Sequence, residues 1–266
     1  MRPFLKWAGN KYQIVARIQE VLPTGKRLIE PFAGSAAVFL NTNFPSYLIS
    51  DANQDLITLY QHVQTEGETF IEYARTFFIP ENNQEDVYYQ FRVDFNQADD
   101  PQLKSALFLY MNKHGYNGLC RYNQKGKYNV PFGRYKKPYF PEEELRYFCE
   151  KSKDATFQHV DFMKAMEAAQ PGDVVYCDPP YVPLSSTANF TSYSTGGFGQ
   201  EQQQQLARMA EKLSQRGIPV IVSNHDTDFV RAEYANAKLK SFDVQRYISC
   251  NGKKRGKAAE LLAIFS

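Results

Sequence analysis

Short apolar runs recur along the chain, and most of them end at an acidic residue. They cover residues 27–29, 47–50, 156–160, 174–177 and 219–223. The runs lack the polar–apolar alternation of half-exposed strands, which is typical of parallel strands buried on both faces. The residues that follow the first four runs are Glu30, Asp51, Asp161 and Asp178. The pattern therefore predicts a parallel sheet whose carboxyl edge is lined with acids.

Helical periodicity replaces the strand pattern between the second and third runs. Residues 60–73 and 86–95 have the spacing of helices, and 103–113 is a strongly apolar helix. A further helix is predicted at 200–216, ending at Gly217. The sequence therefore predicts a doubly wound α/β domain that carries a mostly helical insertion.

Positive charge is concentrated in two stretches, although the net charge is only +2. The first lies between Asp100 and Glu142 and contains no acid; its basic residues are Lys104, Lys113, Arg121, Lys125, Lys127, Arg134, Lys136 and Lys137. The second is NGKKRGK at 251–257, between two apolar runs at 242–249 and 260–265 that predict an antiparallel hairpin. This segregation indicates a polyanion bound by one face, and two solvated loops are the alternative.

The composition argues against several other classes of protein. A chain of 266 residues with 43% hydrophobic and 23% charged residues has an ordinary globular composition. No apolar run approaches the length of a membrane span and no signal peptide is recognisable, so we expect a cytoplasmic protein. The four cysteines form no CxxC pair and the four histidines no HxxxH pair. Neither a disulfide framework nor a metal site is therefore predicted.

The first two strands predict a ligand site at the carboxyl edge of the sheet. Gly34, in EPFAGSAA, allows a tight turn or a close approach of the backbone to a ligand. Asp51 ends the second strand, where an acid can bind the two hydroxyls of a ribose. A glycine turn followed by an acid is also common for structural reasons alone, and that alternative stays open here.

The stretch CDPPYVPLS, which begins at Cys177, is more specific. Two consecutive prolines fix two φ angles, and each extends the residue before it. The Asp178 side chain and the Pro179 carbonyl can then be held as two rigid acceptors for an amino group. Tyr181 offers a flat face on which a base can stack. The alternative is a stiff turn in which Asp178 caps a local backbone group.

These motifs together resemble the Dam family of DNA adenine methyltransferases. Asp-Pro-Pro-Tyr at 178–181 is the amino-methyltransferase signature. The chain also carries FLKWAGNK, EPFAGSA, ISDAN, NGLCRYNQKGKYNVPFGRYKKPYFP and VSNHD. The resemblance runs nearly end to end in the family's motif order, and the segment 117–141 narrows it to the Dam type.

The resemblance implies S-adenosylmethionine as cofactor, no metal, and adenine in duplex GATC as the target of methyl transfer after base flipping. It implies a Rossmann-like catalytic domain at 1–53 and 142–266, with an inserted target-recognition domain at 54–141 that carries a β-hairpin. The catalytic residues would be Asp178, Pro179, Pro180 and Tyr181. The cofactor contacts would be Trp7, Lys11, Phe32, Gly34, Asp51, Asp161, Phe162 and Asp178.

The resemblance also implies a set of DNA contacts. Lys6 and Arg121 would read guanine, and Tyr116 would wedge beside the flipped adenine. The other base contacts would be Leu119 and Pro131, and the phosphate contacts would be Asn117, Asn123, Arg134, Tyr135 and Lys136. An arginine is a bidentate donor to guanine, and surrounding lysines add affinity without sequence information. The segment 115–133 would form the hairpin that enters a major groove.

Two positions depart from the family pattern, at Ala36 and Asn10, where glycine is common. We expect Ala36 to be tolerated only with a negative φ, whereas asparagine visits left-handed conformations readily. The segment 182–199 is long enough to close over a flipped base, and we expect it to be mobile without DNA. We also expect a monomer that needs no protein partner.

Other activities remain open from the sequence. The same motifs serve methylation of a cytosine amino group, of RNA or of a protein amide, although the basic insertion disfavours a protein substrate. A DNA-binding module with a vestigial site is the non-enzymatic alternative, and the intact tetrad at 178–181 together with Asp51 argues against it.

Overall fold

A seven-stranded sheet organises the protein, whose computed structural model describes residues 1–182, 198–245 and 257–266. Its strands are β1 (Arg27–Glu30), β2 (Ser46–Asp51), β3 (Ala155–His159), β4 (Asp173–Cys177), β5 (Val220–His225), β6 (Lys238–Gln245) and β7 (Lys257–Phe265). Their order is β3-β2-β1-β4-β5-β7-β6. Strands β1 to β5 pair in parallel, and β7 pairs antiparallel with β5 and β6. The predicted fold class and the C-terminal hairpin are confirmed.

Helices cover both faces of the sheet. Those of the described residues are α1 (Val15–Gln19), α2 (Gln54–Glu66), α3 (Glu68–Arg75), α4 (Glu85–Gln97), α5 (Pro101–His114), α6 (Glu142–Lys151), α7 (Phe162–Glu167), α8 (Gln200–Ser214) and α9 (Asp228–Glu233). Helices α7 and α8 pack on one face and α2 packs on the other. Successive residues of β1 point to opposite faces of the sheet. Leu28 packs in the core between the sheet and α2, and Ile29 packs in the core between the sheet and α8.

The helical region between β2 and β3 is built around α5. Ten of its fourteen residues, Ser105 to His114, are buried, because α2, α3 and α4 all pack against it. A helix that is apolar on every side requires such enclosure. The prediction of one helical stretch over 60–73 is wrong in one respect. Gly67 adopts φ +54° and separates α2 from α3.

Helix α2 contacts both parts of the molecule. It packs against β2 and β3 of the sheet and also against α5. The crossover from β2 to β3 therefore begins with α2, which packs on the sheet, and the polypeptide then continues through α3, α4 and α5. The domain boundaries predicted at 54 and 141 stay a prediction. Among the described residues, no helix is long and apolar enough to cross a bilayer.

Candidate active site and recognition surface

The crevice of the sheet lies between the carboxyl ends of β1 and β4. Strand β1 has β2 on one side and β4 on the other, so the chain reverses its direction of winding there. Open α/β sheets bind ligands at this switch point. Glu30 ends β1, Asp51 ends β2 and Asp178 follows β4, so the topology brings three of the predicted edge acids together.

Asp178 is held by two donors on the same oxygen. Lys11 Nζ lies 2.8 Å from Asp178 Oδ1, and the Ser223 hydroxyl donates to it at 3.1 Å. The single proton of the Ser223 hydroxyl is directed at Asp178. The Tyr176 hydroxyl, 3.1 Å from Ser223 Oγ, is therefore the donor in their hydrogen bond. Burial raises the pKa of Asp178, and Lys11 and Ser223 oppose the rise. Within the described residues Oδ2 has no partner, so it can still accept a hydrogen bond.

The loop after β4 is fixed by two buried amides. Gln203 Nε2 donates to the Pro180 carbonyl at 2.8 Å, and Asn224 Oδ1 accepts from Val182 N at 3.2 Å. The two amides are themselves bonded, from Asn224 Nδ2 to Gln203 Oε1 at 3.1 Å. No described donor reaches the Pro179 carbonyl. Among the described residues, Asp178 Oδ2 and Pro179 O thus both remain available as acceptors, as the prediction of two acceptors requires.

The ring of Tyr181 is held at its hydroxyl, at its edge and on its face. Its hydroxyl donates to Glu260 Oε2 at 3.2 Å, and His225 packs edge-on at 4.7 Å between ring centroids. Lys11 Nζ lies 4.4 Å from the ring centroid, which is a favourable cation–π distance. The pairing of β5 with β7 places His225 opposite Glu260, so the sheet itself positions this ring.

Asp51 and the turn after β1 form one unit. Gly34 N donates to Asp51 Oδ2 at 3.0 Å, and Asn53 N donates to Asp51 Oδ1 at 2.9 Å. Burial raises the pKa of Asp51, and these two amides oppose the rise. Gly34 has φ +46°, and a Cβ there would lie 2.9 Å from Trp7 Nε1. Glycine is thus required both for the backbone angle and for the approach of Trp7.

Phe32 and Phe162 lie together beside this turn. Their rings stack at 5.3 Å, and Phe198 packs edge-on against Phe32 at 5.4 Å. Asp161 has a local structural role, because its side chain accepts from Met163 N at 2.8 Å as the N-cap of α7. The predicted cofactor residues thus cluster at the ends of β1, β2, β3 and β4.

The expectation for Ala36 is wrong, because its φ is +58°. A left-handed alanine costs about 1–2 kcal/mol relative to glycine. Its methyl group is fully buried in the core, and burial of one methyl contributes about 0.8 kcal/mol. Burial therefore offsets part of the strain. Asn10 has φ −48° and N-caps the short helix that begins at Lys11, so no left-handed conformation is used there.

Glu30 was predicted at the carboxyl edge of the sheet but was not assigned a role in the site. It is 3% exposed, and its Oε1 has no hydrogen-bond partner in the described part of the chain. Burial, and next the charge of Asp178, raise the pKa of Glu30 to about 8. The carboxyl accepts a backbone hydrogen bond from Phe39, so only Oε1 is unpaired; a buried unpaired oxygen requires an explanation, such as a group that binds there.

Ser223, Asn224 and Gln203 were also missed as functional residues. The first two stand in the VSNHD motif at the end of β5, directly beside β4. Adjacent parallel strands place their carboxyl ends together, so that motif was a usable signal. Gln203 had none, because its glutamine-rich stretch predicts only a solvated helix face.

The N-terminal segment connects the crevice to the predicted recognition surface. Lys6 N donates to Asn112 Oδ1 at 2.9 Å, and Asn112 Nδ2 donates back to Lys6 O at 2.8 Å. Lys6 Nζ lies 4.1 Å from the Tyr135 ring centroid. Gly118 packs so closely that a Cβ there would lie 2.2 Å from Lys6 Cβ. Lys6 therefore contacts the recognition segment, which comprises residues 115–133, and it lies one residue before Trp7 at the crevice.

The segment 115–133 is an open hairpin rather than a continuous ladder. Its two antiparallel bridges join Gly115 to Phe132 and Tyr122 to Tyr128. Tyr116 projects from it with 50% of its surface exposed. Tyr116 N donates to Pro131 O at 2.9 Å, which brings these two predicted base contacts together.

The other predicted DNA contacts lie on or beside the same segment. Asn117 has φ +53°, and its N–H donates to the Tyr135 hydroxyl at 3.0 Å. Arg121 is exposed, and Nε and Nη2 donate to the side chain and carbonyl of Asn129 at 2.7 and 3.1 Å. Three of its five N–H groups therefore stay available. Leu119 is half-buried, and its carbonyl accepts from Tyr128.

Two predicted phosphate contacts have protein partners. Asn123 Oδ1 accepts from Lys125 N and Lys127 N, so this side chain closes the tip of the hairpin. Arg134 is 75% exposed, has φ +54° and pairs with Glu85 at 3.0 Å. Lys136 is exposed nearby.

Two predicted segments lie outside the described residues. The closing loop predicted at 182–199 is described only at its two ends, and the basic cluster at 251–257 only at Lys257. Within the described part, no group of three or more histidine, cysteine, aspartate or glutamate side chains could hold a metal ion.

The open, mainly parallel sheet and its acid-lined switch point define a Rossmann-like domain with a ligand site at the carboxyl edge. Residues 7–248 match the family of D12 class N6 adenine-specific DNA methyltransferases. The DNA adenine methylase of Escherichia coli (strain K12) is 53% identical over 264 residues, which cover 99% of this chain and 95% of that protein. The DNA adenine methylase of Serratia marcescens is 51% identical over 265 residues, covering 99% and 98%.

The chain belongs to the D12 class N6 adenine-specific DNA methyltransferase family. It is an adenine-specific DNA methyltransferase, and DNA is its substrate. A DNA adenine methylase of Vibrio cholerae serotype O1 (strain ATCC 39541) is 52% identical over 266 residues, covering 100% of this chain and 96% of that protein. The family assigns adenine in DNA, in place of the cytosine, RNA and protein alternatives.

Proposed function

We propose that this enzyme transfers a methyl group from S-adenosylmethionine to the N6 amino group of adenine in duplex GATC. The observation that carries the proposal is a pair of acceptors at the switch point of the sheet, Asp178 Oδ2 and Pro179 O, to which no described residue donates. An exocyclic amino group has two N–H donors, which matches two fixed acceptors.

The chemistry of the crevice fits S-adenosylmethionine. Asp51 has a carboxylate for the ribose hydroxyls. Gly34, with Trp7 packed against it, and Phe32 would line the methionine side. Asp161 and Phe162 would flank the adenine of the cofactor. Lys11 and Asp178 complete the set of cofactor contacts. The sulfonium supplies an already activated methyl group, so the proposed reaction needs no metal.

The residues of the tetrad would act on the target amino group by position and charge. Its lone pair is delocalised into the adenine ring, so the nitrogen is a poor nucleophile. Hydrogen bonds to Asp178 and Pro179 O would draw it towards tetrahedral geometry and aim the lone pair at the methyl group. Pro180 keeps the loop extended, and the held ring of Tyr181 would stack on the base.

The target base has to leave the duplex before it can reach these residues, which costs a few kcal/mol. The exposed Tyr116 would fill the space that the base leaves. Lys6 and Arg121 would read guanine. Further base contacts are assigned to Leu119 and Pro131, and phosphate contacts to Asn117, Asn123, Arg134, Tyr135 and Lys136. The substrate also implies a cytoplasmic location, and we propose a monomer without a protein partner.

Methyl transfer from labelled S-adenosylmethionine to paired duplexes tests the proposal. One duplex carries GATC, and in the other the adenine is replaced by a base that lacks the amino group. We expect label on the first duplex alone. Label on GATC, GATT and CATC at equal rates would overturn the sequence specificity, and label on the duplex without the amino group would overturn the target atom.

Replacing Arg121 with alanine should relax discrimination at one guanine by about 1–3 kcal/mol. The reason is the loss of a bidentate donor that Asn129 already orients. The measurement compares kcat/KM on GATC with kcat/KM on CATC and GATT. Arg134→Ala is the matched control, because loss of a phosphate contact weakens all sequences alike. An equal loss on all three duplexes for Arg121→Ala would make it a phosphate contact.

A further inference from the structure

The first turn of α2 holds both neighbours of Arg121. Asn53 Nδ2 donates to Cys120 Sγ at 3.3 Å, and the Tyr122 hydroxyl donates to Asp55 Oδ2 at 2.6 Å. The residue assigned to guanine reading is therefore flanked on each side by a side chain that is bonded to the same helical turn.

The same turn begins at the crevice. Asp51 Oδ1 accepts from Asn53 N at 2.9 Å, and Asn53 Oδ1 in turn caps α2 by accepting from Leu56 N at 3.1 Å. Asp51 ends β2 three residues before α2 begins, and Asp55 is the second residue of α2. The hydrogen bonds of Asn53 therefore link the Asp51 carboxylate to the start of the helix that carries Asp55.

The contact between Asp55 and Tyr122 is charge-assisted. Lys104 Nζ lies 3.0 Å from Asp55 Oδ1, which leaves Oδ2 for the phenol. Burial, followed by the nearby Cys120 and Asp55, raises the pKa of Tyr122, so its hydroxyl stays a donor at neutral pH. Hydrogen bonds to an ionised acceptor are about twice as strong as neutral ones.

The recognition segment depends on such side-chain contacts because its backbone pairing is sparse. The bridge between Tyr122 and Tyr128 and the bond from Asn129 N to Arg121 O, at 3.0 Å, join the two arms of the hairpin to each other. Neither bond attaches the hairpin to the sheet. The hydrogen bond from Tyr122 to Asp55 attaches it, since Asp55 lies on α2, which packs against β2 and β3.

We propose that Asp55 and Tyr122 are positioning residues that fix Arg121 relative to the cofactor pocket and thereby set sequence discrimination. This inference rests on the proposed function, because it assumes that Arg121 reads a guanine. Neither residue touches DNA or cofactor in this role. Asp55 acts on Tyr122, and Tyr122 holds the backbone that carries Arg121.

The test measures kcat/KM of Tyr122→Phe on GATC, CATC and GATT. Discrimination is the ratio of kcat/KM on GATC to kcat/KM on CATC or GATT. For the duplex at which Arg121→Ala lowers this ratio most, we expect Tyr122→Phe to lower it about 10-fold, the effect of one charge-assisted hydrogen bond. The rate on saturating GATC should change by less than about 3-fold. Tyr147→Phe is the matched control, because its hydroxyl donates to Leu40 O at 3.2 Å, away from the recognition segment.

A double-mutant cycle separates positioning from general stability. If Tyr122 acts through Arg121, then Tyr122→Phe should cause no further loss of discrimination when Arg121 is already alanine. Asp55→Ala should reproduce the loss, and Asp55→Asn should restore about half of it in free energy, since an amide oxygen still accepts from Tyr122 but without the charge. Thermal unfolding of each variant confirms that folded protein is being compared.

The outcomes are distinguishable from failure of the proposed function. A wild-type enzyme that methylates all three duplexes equally would overturn the proposed specificity itself. A discriminating wild-type enzyme with an equally discriminating Tyr122→Phe variant would overturn the positioning role. Additive losses in the cycle would also overturn it, because the contact would then act independently of Arg121.

Discussion

Replacing Asp178 with alanine is expected to lower the rate of methyl transfer by about 10²–10³-fold, the scale of losing a preorganised electrostatic contact. The carboxylate supplies one of the two acceptors at the crevice and is the partner of Lys11 at 2.8 Å. Asp178→Asn should retain more activity than Asp178→Ala, because an amide oxygen can still accept one N–H from the target base. Single-turnover methyl transfer on GATC at saturating DNA measures both.

Loss of Asp178 also leaves Lys11 as a buried ammonium without its partner, which costs about 3–5 kcal/mol of stability. The matched control is Asp173→Ala, at the opposite end of β4. It removes the partner of Arg27, an ion pair of 2.6 Å whose carboxylate is 7% exposed, against 23% for Asp178. We expect Asp173→Ala to lower the free energy of unfolding by an amount comparable to that of Asp178→Ala, whereas its folded molecules should methylate DNA at the normal rate. An Asp178→Ala enzyme that turns over normally would contradict the role of Asp178 as an acceptor for the target amino group.

The sheet could be predicted because its strands are buried on both faces. Such strands require uninterrupted apolar residues, and a sequence shows these directly, as at 47–50 and 174–177. The position of Asp178 followed from the same rule, since a residue just after a parallel strand lies at the carboxyl edge. The family motifs then placed Asp51 and Lys11 at the same edge, and the structure brings all three to one crevice.

Features that depend on tertiary contacts could not be predicted in the same way. The periodicity of 60–73 continues through Gly67, because α2 and α3 both turn apolar faces towards α5. The positive φ of Ala36 is offset by burial of its methyl group, which no local pattern reports. Gln203 reaches Pro180 from a helix that precedes β5 in the chain, so only the packed structure joins them.

The buried carboxyl of Glu30 is expected to make the protein less stable as the pH rises. Its pKa is about 8 in the folded protein, against an ordinary value of 4.5 that an unfolded chain should show. The folded state therefore binds the proton more tightly than the unfolded state throughout this interval. The stabilisation is complete below about pH 4.5 and is lost as the pH rises to and through 8, with a total of about 5 kcal/mol, of which about 4 kcal/mol falls between pH 5 and 8.5.

Glu30→Gln tests this linkage, because glutamine is a neutral side chain of the same size that cannot ionise. Urea unfolding between pH 5 and 8.5 should give a free energy of unfolding that falls steeply for the wild type and by about 4 kcal/mol less for the variant. Glu20→Gln, at an exposed position, changes the net charge equally and serves as the control. Parallel profiles for wild type and Glu30→Gln would show that this carboxyl is already ionised at pH 5. Glu30 would then need a cationic partner in the protein itself, and the unpaired Oε1 could no longer be taken as an acceptor that awaits a bound group.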